Sequence, residues 1–244
     1  MAATILVPGE VIDSSSLPKT KKGTLTLGPG LRHIPPSAVL STTAGALQLD
    51  HKKSALWLEP SLGRYIPAIG DLVIAQVHRS AAEVFHCTVT PHSPTVLLAQ
   101  LAFEGATRKT RPNLKSGDLV YARVCKVPSR SAGSEDVEIE CIDPSTSKAE
   151  GMGPLKGGMA FDITVQFSRR LMMGSKKGGI CVLDDLGEKV RFEVAVGRNG
   201  RVWVDSGSIK TTIGIGQLLR QVDEQGLSIE DQKKLIKRMA KDFS

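Results

Sequence analysis

The sequence predicts a multidomain β and α+β chain: a small N-terminal β domain, a closed five-stranded barrel and a C-terminal α+β domain. Three observations carry this. Between Tyr65 and Asp143, apolar and β-branched runs follow one another with no long helical pattern between them. Beyond residue 159 the order becomes strand, helix, helix, strand, strand, helix. Two glycine- and proline-marked breaks, at 59–63 and 150–158, separate these stretches. The boundaries fall at 1–62, 63–147 and 148–244.

The 244 residues are 41% hydrophobic, enough for real cores, but only 4% aromatic, so Val, Ile and Leu must fill them. Twenty-four glycines and 13 prolines suit many short strands and turns. The net charge of +7 favours a polyanionic partner such as RNA. Cys87, Cys125, Cys141 and Cys181 are widely spaced, which argues against a zinc site or a disulfide framework and for buried, reduced thiols inside a cell. Ile5–Val7 has no basic flank, so no signal peptide is expected, and no apolar run reaches membrane-spanning length.

In the first domain, Thr24–Leu27 alternates as a half-buried strand, and Ala46–Leu49 with Ala55–Leu58 reads as a strand pair across Asp50–Ser54. Ser14–Lys22 reads as a solvated loop. The second domain has strands at Asp71–His78, Glu83–Thr90, Thr95–Phe103, Asp118–Val127 and Val137–Ile142, with a polar loop at Ser129–Asp136. Five strands in about eighty residues fit an OB-fold barrel.

The third domain opens with a strand at Ala160–Phe167, then short helices at Ser168–Met173 and Ile180–Leu186. A long helix capped by Ser208 would present Ile209, Thr212, Ile213, Gly216, Leu219 and Val222 on one face. A last helix, capped by Ser228, has Leu235, Ile236, Met239 and Phe243 as its apolar stripe, and Lys233, Lys234, Lys237 and Arg238 as a solvated face. This order is that of a type I, eukaryotic-type KH domain.

Between the last two strands lies Gly197-Arg198-Asn199-Gly200, which can be read as a backbone-clamping G-x-x-G loop or as a hairpin turn. In a KH domain the clamp lies between the first two helices, so the turn reading holds. The positional candidate for a clamp is Gly174–Gly179 with Lys176 and Lys177, although it is one residue too long. A three-residue turn, Arg198-Asn199-Gly200, pairs Val196 with Val202 and Val194 with Val204, with Gly200 left-handed. Trp203 then points to the other face beside Ala195, where it is expected to lock the domain to the barrel; Gly197, Asn199 and Gly200 share that interdomain role.

RNA-binding barrels of this type stack bases on strand aromatics and hold phosphates with nearby cations. Phe85 and His86 on the second strand are the candidates, with Arg108, Lys109, Arg111 and Lys115 as the cation cluster. Phe85 alternates with Cys87, which leaves a core position open for it, and surface charges of this kind can also be merely solvated. Phe103 reads as core or interface. No zinc spacing, phosphate loop or nucleophile motif occurs, and the acidic pairs Asp184-Asp185 and Glu135-Asp136 fall in turns, so no catalytic residue, metal or cofactor is expected.

Several stretches carry a closer likeness: Val7-Pro8-Gly9-Glu10, Gly28-Pro29-Gly30-Leu31-Arg32, the run from Leu101 to Lys109 containing Phe103-Glu104-Gly105-Ala106-Thr107, Arg111-Pro112-Asn113, Gly117–Tyr121, Cys141-Ile142-Asp143, Gly151-Met152-Gly153 and Gly197–Val204. Together with the domain order they resemble the cap subunits of the eukaryotic RNA exosome. The resemblance implies a noncatalytic, RNA-binding subunit that sits on a ring of ribonuclease-fold proteins beside other cap subunits. It would stabilise the ring and guide single-stranded RNA into the pore, for 3′-to-5′ degradation and processing of rRNA and other RNAs. It also implies ring docking by the N-terminal domain, a pore-facing barrel and a peripheral KH domain, in nucleus, nucleolus and cytoplasm. The barrel departs from the ribosomal S-one pattern to which it is otherwise similar: its third strand reads Leu98-Ala99-Gln100-Leu101 where a histidine region is expected, which implies weak, nonspecific RNA affinity for the isolated chain. A sister cap subunit and a freestanding single-stranded RNA-binding regulator are the alternatives.

Overall fold

The computed structural model of the chain describes residues 4–12, 25–28, 30–36, 38–50, 54–59, 63–128, 136–173, 180–227 and 229–240. Ser14–Lys22, Gly174–Gly179 with Lys176 and Lys177, Ser228, Phe243 and most of Ser129–Asp136 lie outside the described residues. The chain divides into two compact units, Met1–Gly63 and Arg64–Ser244.

The first unit is built of short strands: β1 (Ile5–Leu6), β2 (Val11–Ile12), β3 (Thr26–Leu27), β4 (Leu31–Ile34), β5 (Ala38–Ser41), β6 (Gly45–Asp50) and β7 (Ala55–Glu59). They form two sheets, β1-β6-β7-β3 and β2-β5-β4. Alternation in β7 sends Leu56 and Leu58 inward to join Leu6, Ile12 and Val39. Gly30 sits against this core with φ +83°, and a Cβ there would lie 2.7 Å from Leu58 Cβ and 2.9 Å from Thr43 Oγ1. Left-handed strain and overlap act together, so Gly30→Ala is expected to destabilise this unit by about 2–4 kcal/mol. Limited proteolysis of the full chain would report it as faster cleavage confined to the first 63 residues.

The second unit begins with the barrel: β8 (Leu72–Ser80), β9 (Val84–Thr88), β10 (Val96–Phe103), β11 (Leu119–Lys126) and β12 (Glu138–Cys141). The sheet runs β12-β10-β9-β8-β11 and closes through a β11–β12 pairing. β10 and β12 are parallel and the other barrel pairs antiparallel, the circuit of an OB fold. Period-two alternation supplies the core: Val73, Ala75 and Val77 from β8, Phe85 and Cys87 from β9, Val120, Ala122 and Val124 from β11. A sixth strand, β13 (Gly153–Leu155), pairs with β11 and so carries the barrel sheet past residue 147. Of the four cysteines, Cys87 and Cys141 are buried, whereas Cys125 and Cys181 are partly exposed, so buried thiols describe only half of them. Burial pushes the Cys87 thiol up to about 12.

The remainder comprises β14 (Met159–Asp162), α1 (Val165–Met172), α2 (Val182–Gly187), β15 (Phe192–Gly197), β16 (Arg201–Ser206), α3 (Ile209–Gln225) and α4 (Ile229–Ala240). The antiparallel sheet order β14-β16-β15 is that of a type I KH domain. Two expectations need correction. The first strand stops at Asp162 rather than Phe167, because the Thr164 hydroxyl accepts from Phe167 N and caps α1, while Asp223 on α3 accepts from Thr164 N and its hydroxyl. In α3, Ile209 is 77% exposed and Ile213 is also outside the core; the inward face is Thr212, Ile215, Gly216, Leu219 and Val222. Gly216 fixes this phase: the Phe161 ring occupies the space that a Cβ would need. In α4, Leu235 and Ile236 are buried while Lys233, Lys234, Lys237 and Arg238 face solvent.

Candidate nucleic-acid interface

The β15–β16 hairpin pairs Val196 with Val202, Val194 with Val204 and Ala195 with Trp203, around a three-residue turn in which Gly200 has φ +77°. Val202 and Val204 pack under the helices. The turn itself is not free to meet a phosphate. Asn199, 5% exposed, reaches into the barrel. Its Oδ1 accepts from Ile74 N at 3.2 Å, and its Nδ2 donates to Ile74 O at 2.9 Å and Val89 O at 2.6 Å. The Arg198 amide donates to Leu72 O at 2.7 Å, and its guanidinium lies 3.3 Å from Asp71 Oδ1. Tyr121 donates its hydroxyl to Val196 O at 3.1 Å. Trp203, also 5% exposed, donates Nε1–H to Gly157 O at 3.0 Å and packs with Ile74, Ala195, Leu119, Tyr121 and Leu155. Gly197 is required at its place because a Cβ would lie 2.7 Å from Ile74 N.

Asp71 also accepts from the Tyr65 hydroxyl at 3.0 Å. Burial, then the Asp71 carboxylate, holds the Tyr65 pKa above its ordinary value of 10. A raised folded-state value gives stability that is complete below the unfolded value and lost as pH climbs past it. The melting temperature of the wild type is therefore expected to fall more steeply above pH 10 than that of Tyr65→Phe, as a paired thermal-melt series would read.

The basic residues sit on a different element. After β10 the chain folds into a tight turn at Gly105–Arg111, knitted by two threonines. Thr107 N donates to Thr110 Oγ1 at 3.0 Å, Thr110 Oγ1 donates to Gly105 O at 3.0 Å, and Arg111 N donates to Thr107 O at 2.9 Å. Arg108 and Lys109 project from this turn into solvent. Arg111 is exposed in part but tied back: its guanidinium donates to Gln100 Oε1 and at 3.5 Å to Ala82 O. Gln100, 6% exposed, in turn donates to Ala81 O at 2.8 Å and Ser80 Oγ at 3.3 Å. Arg111 thus anchors the turn to the β8–β9 hairpin. Lys115 stands on the next turn, where its amide donates to Asp118 Oδ2 at 2.7 Å.

The aromatic candidate fails on geometry. Phe85, 2% exposed, points into the barrel core on the same face as Cys87, because residues two apart on a strand share a face. It has no surface to offer a base. His86 faces outward from β9, half-buried, opposite Leu97 and Arg79. Phe103 is core. Sequence reasoning missed Gln100 as the anchor and Ile74, Tyr121 and Asp71 as receptors for the hairpin; the one available signal was apolar character at outward-facing strand positions. Among the described residues, no three His, Cys, Asp or Glu side chains gather as a metal site, and no helix is long and apolar enough to cross a membrane.

Comparison with known proteins fits this architecture. Residues 65–153 match the family model described as the S1 domain of exosome complex component RRP40, residues 25–64 that of the Rrp40 N-terminal domain, and residues 158–210 a KH domain model. The exosome complex component rrp40 of Schizosaccharomyces pombe is 37% identical over 96% of this chain and 93% of its own length. RRP40 of Drosophila melanogaster is 34% identical over 94% of each chain. A solved crystal structure at 20% identity covers 74% of this chain and 97% of its own with a TM-score of 0.57, which speaks for the fold alone.

Proposed function

We propose that this chain, which belongs to the Rrp40 family of exosome complex components, is a noncatalytic cap subunit that guides single-stranded RNA towards the pore of a ring-shaped 3′-to-5′ nuclease assembly. The observation that carries the RNA role is the rigid turn at Gly105–Arg111. It holds Arg108 and Lys109 in solvent without an internal acidic partner among the described residues. The ordered backbone fixes where the two cations stand, and their contact with phosphate is blind to sequence. His86 and Lys115 extend the same reading, and Arg111 enters it as an anchor that adds charge close by. The exposed Ile5, Val7 and Val11 of the N-terminal unit support its docking on the ring. Partners would be ring subunits, other cap subunits and RNA, in nucleus, nucleolus and cytoplasm.

The test is Arg108→Glu with Lys109→Glu in the full chain. At low salt, oligoribonucleotide affinity is expected to fall at least tenfold. The dependence of log affinity on log salt is expected to flatten by about 1.4, the release associated with two single-strand phosphates. An unchanged affinity and slope would sink the RNA role of the turn. Co-purification of the tagged chain with a multisubunit nuclease tests the assembly role separately.

A further inference from the structure

Next to the basic turn lies an open cleft of about 440 Å³ that the turn itself does not use. Its apolar lining includes the Leu119–Leu155 rung, where β11 and β13 pair, together with Pro112 and Pro154. Both leucines also pack against the Trp203 cluster, so this surface is fixed. Three polar side chains complete the lining, Asn113, Asp118 and Lys156, and all three are exposed. Asn113 and Lys156 have no hydrogen-bond or ion-pair partner among the described residues. Asp118 engages one carboxylate oxygen with Lys115 N, which leaves Oδ1 open.

The size is within the range of small-ligand sites. A flat apolar face with a polar edge suits this lining better than a wholly aliphatic side chain, which would leave Asn113 and Asp118 unmatched. A carboxamide both donates and accepts, as the amino-bearing edge of adenine requires, and a carboxylate oxygen accepts from an exocyclic amine. Uracil has no such amine: its one edge donor, N3–H, is flanked by two carbonyl oxygens that the open Asp118 carboxylate oxygen would oppose. Lys156 puts positive charge at the cleft, where a flanking phosphate would run.

We propose that this cleft is a nucleobase subsite that takes one unstacked base of single-stranded RNA and favours the amino-bearing bases over uracil. The proposal rests on the reading of the Arg108–Lys109 turn as an RNA contact: the chain leads from that turn through Arg111 directly into Pro112 and Asn113. A strand whose phosphates meet the turn would lay its next base in the cleft. Because the cleft has no aromatic platform, the subsite biases composition rather than anchoring the strand.

The experiment is an NMR titration of the isotope-labelled full chain with AMP, CMP, UMP and a short aliphatic peptide, followed at the Asn113 side-chain amide and the Leu119 and Lys156 backbone amides. AMP and CMP are expected to shift these signals at lower concentration than UMP. Asn113→Ala is expected to weaken AMP about fivefold. Equal shifts with AMP and UMP, no shifts at the cleft, or shifts with the peptide alone would overturn the proposal. The charge-reversed turn separates the two readings. Lost oligonucleotide binding with a cleft silent to mononucleotides removes the subsite alone. Unaltered oligonucleotide binding with selective mononucleotide shifts removes the turn and keeps the subsite.

Discussion

Replacing Asn199 with Leu is expected to weaken the junction between hairpin and barrel by about 3 kcal/mol, while both flanking cores stay folded. The reason lies in the barrel ladder. The β8–β9 pairing begins at Gln76 and Thr88, so Ile74 lies beyond its end, and no β9 residue is paired with it. Asn199 supplies what the ladder lacks there: its amide bridges Ile74 on one strand to Val89 beyond the other, and acts as an extra rung. A leucine of similar size would fill the space and leave one N–H and two carbonyls without that partner in a buried setting. Asn199→Asp keeps the acceptor but sets a carboxylate against two carbonyls, so it should be least damaging in acid, where the carboxyl is neutral. Hydrogen exchange at the Ile74 amide is the sharpest measurement. Faster exchange there, with Val120 and Val202 unchanged, is the expected result; unchanged exchange at Ile74 would refute the rung.

How much of this was legible follows from the range of each interaction. Barrel strands announce themselves by local alternation, and the hairpin by Asn199-Gly200 with its flanking valines, so these elements could be read within a residue or two. The phase of α3 could not. Ile209, Ile213, Ile215, Leu218 and Leu219 offer two overlapping apolar stripes, and only the approach of Phe161 to Gly216, fifty-five residues away in sequence, decides between them. The first strand of the KH domain reads too long for a similar reason. Val165 and Phe167 continue an alternating pattern, but the Thr164 cap, itself held by Asp223, starts a helix there.

The candidate site divides in the same way. The charges of Arg108, Lys109, Arg111 and Lys115 are visible in the sequence, but which of them are free is not. That depends on Gln100, whose place in the third strand reads only as a departure from a histidine pattern. Sequence alone leaves Phe85 open between core and surface; two-residue periodicity with Cys87 in a closed barrel puts it inside. The continuous apolar run Leu72–Ala75 did carry information. A strand with one solvated face should alternate, so Ile74 beside Val73 and Ala75 signals burial on both faces. What covered Ile74 could not be read, because its partners lie about 125 residues further along.

Trp203→Ala is expected to have the larger effect, a loss of about 3–5 kcal/mol at the same junction. The indole fills the cluster between Ile74, Leu119, Tyr121 and Leu155 of the barrel sheet and Ala195 of its own hairpin, and Nε1 bonds Gly157 O. Gly158 is shaped around it, since a Cβ there would lie 2.8 Å from Nε1. The barrel core and the helix-covered core are separate clusters, so the cavity falls between them and not within either. Calorimetry is therefore expected to resolve two transitions in the 64–244 unit where the wild type has a junction to couple them. Trp203→Phe, which retains most of the apolar contact and loses the indole bond, should cost only about 1 kcal/mol through that bond, plus a partial cavity. RNA affinity gives the decisive contrast. The basic turn is anchored through Gln100 and Arg111 to the β8–β9 hairpin and contributes no residue to the Trp203 cluster, so Trp203→Ala should retain oligonucleotide binding at a temperature where both modules are folded. Lost binding at that temperature would mean that the RNA surface depends on the relative placement of barrel and KH domain, and the turn would no longer suffice as the site.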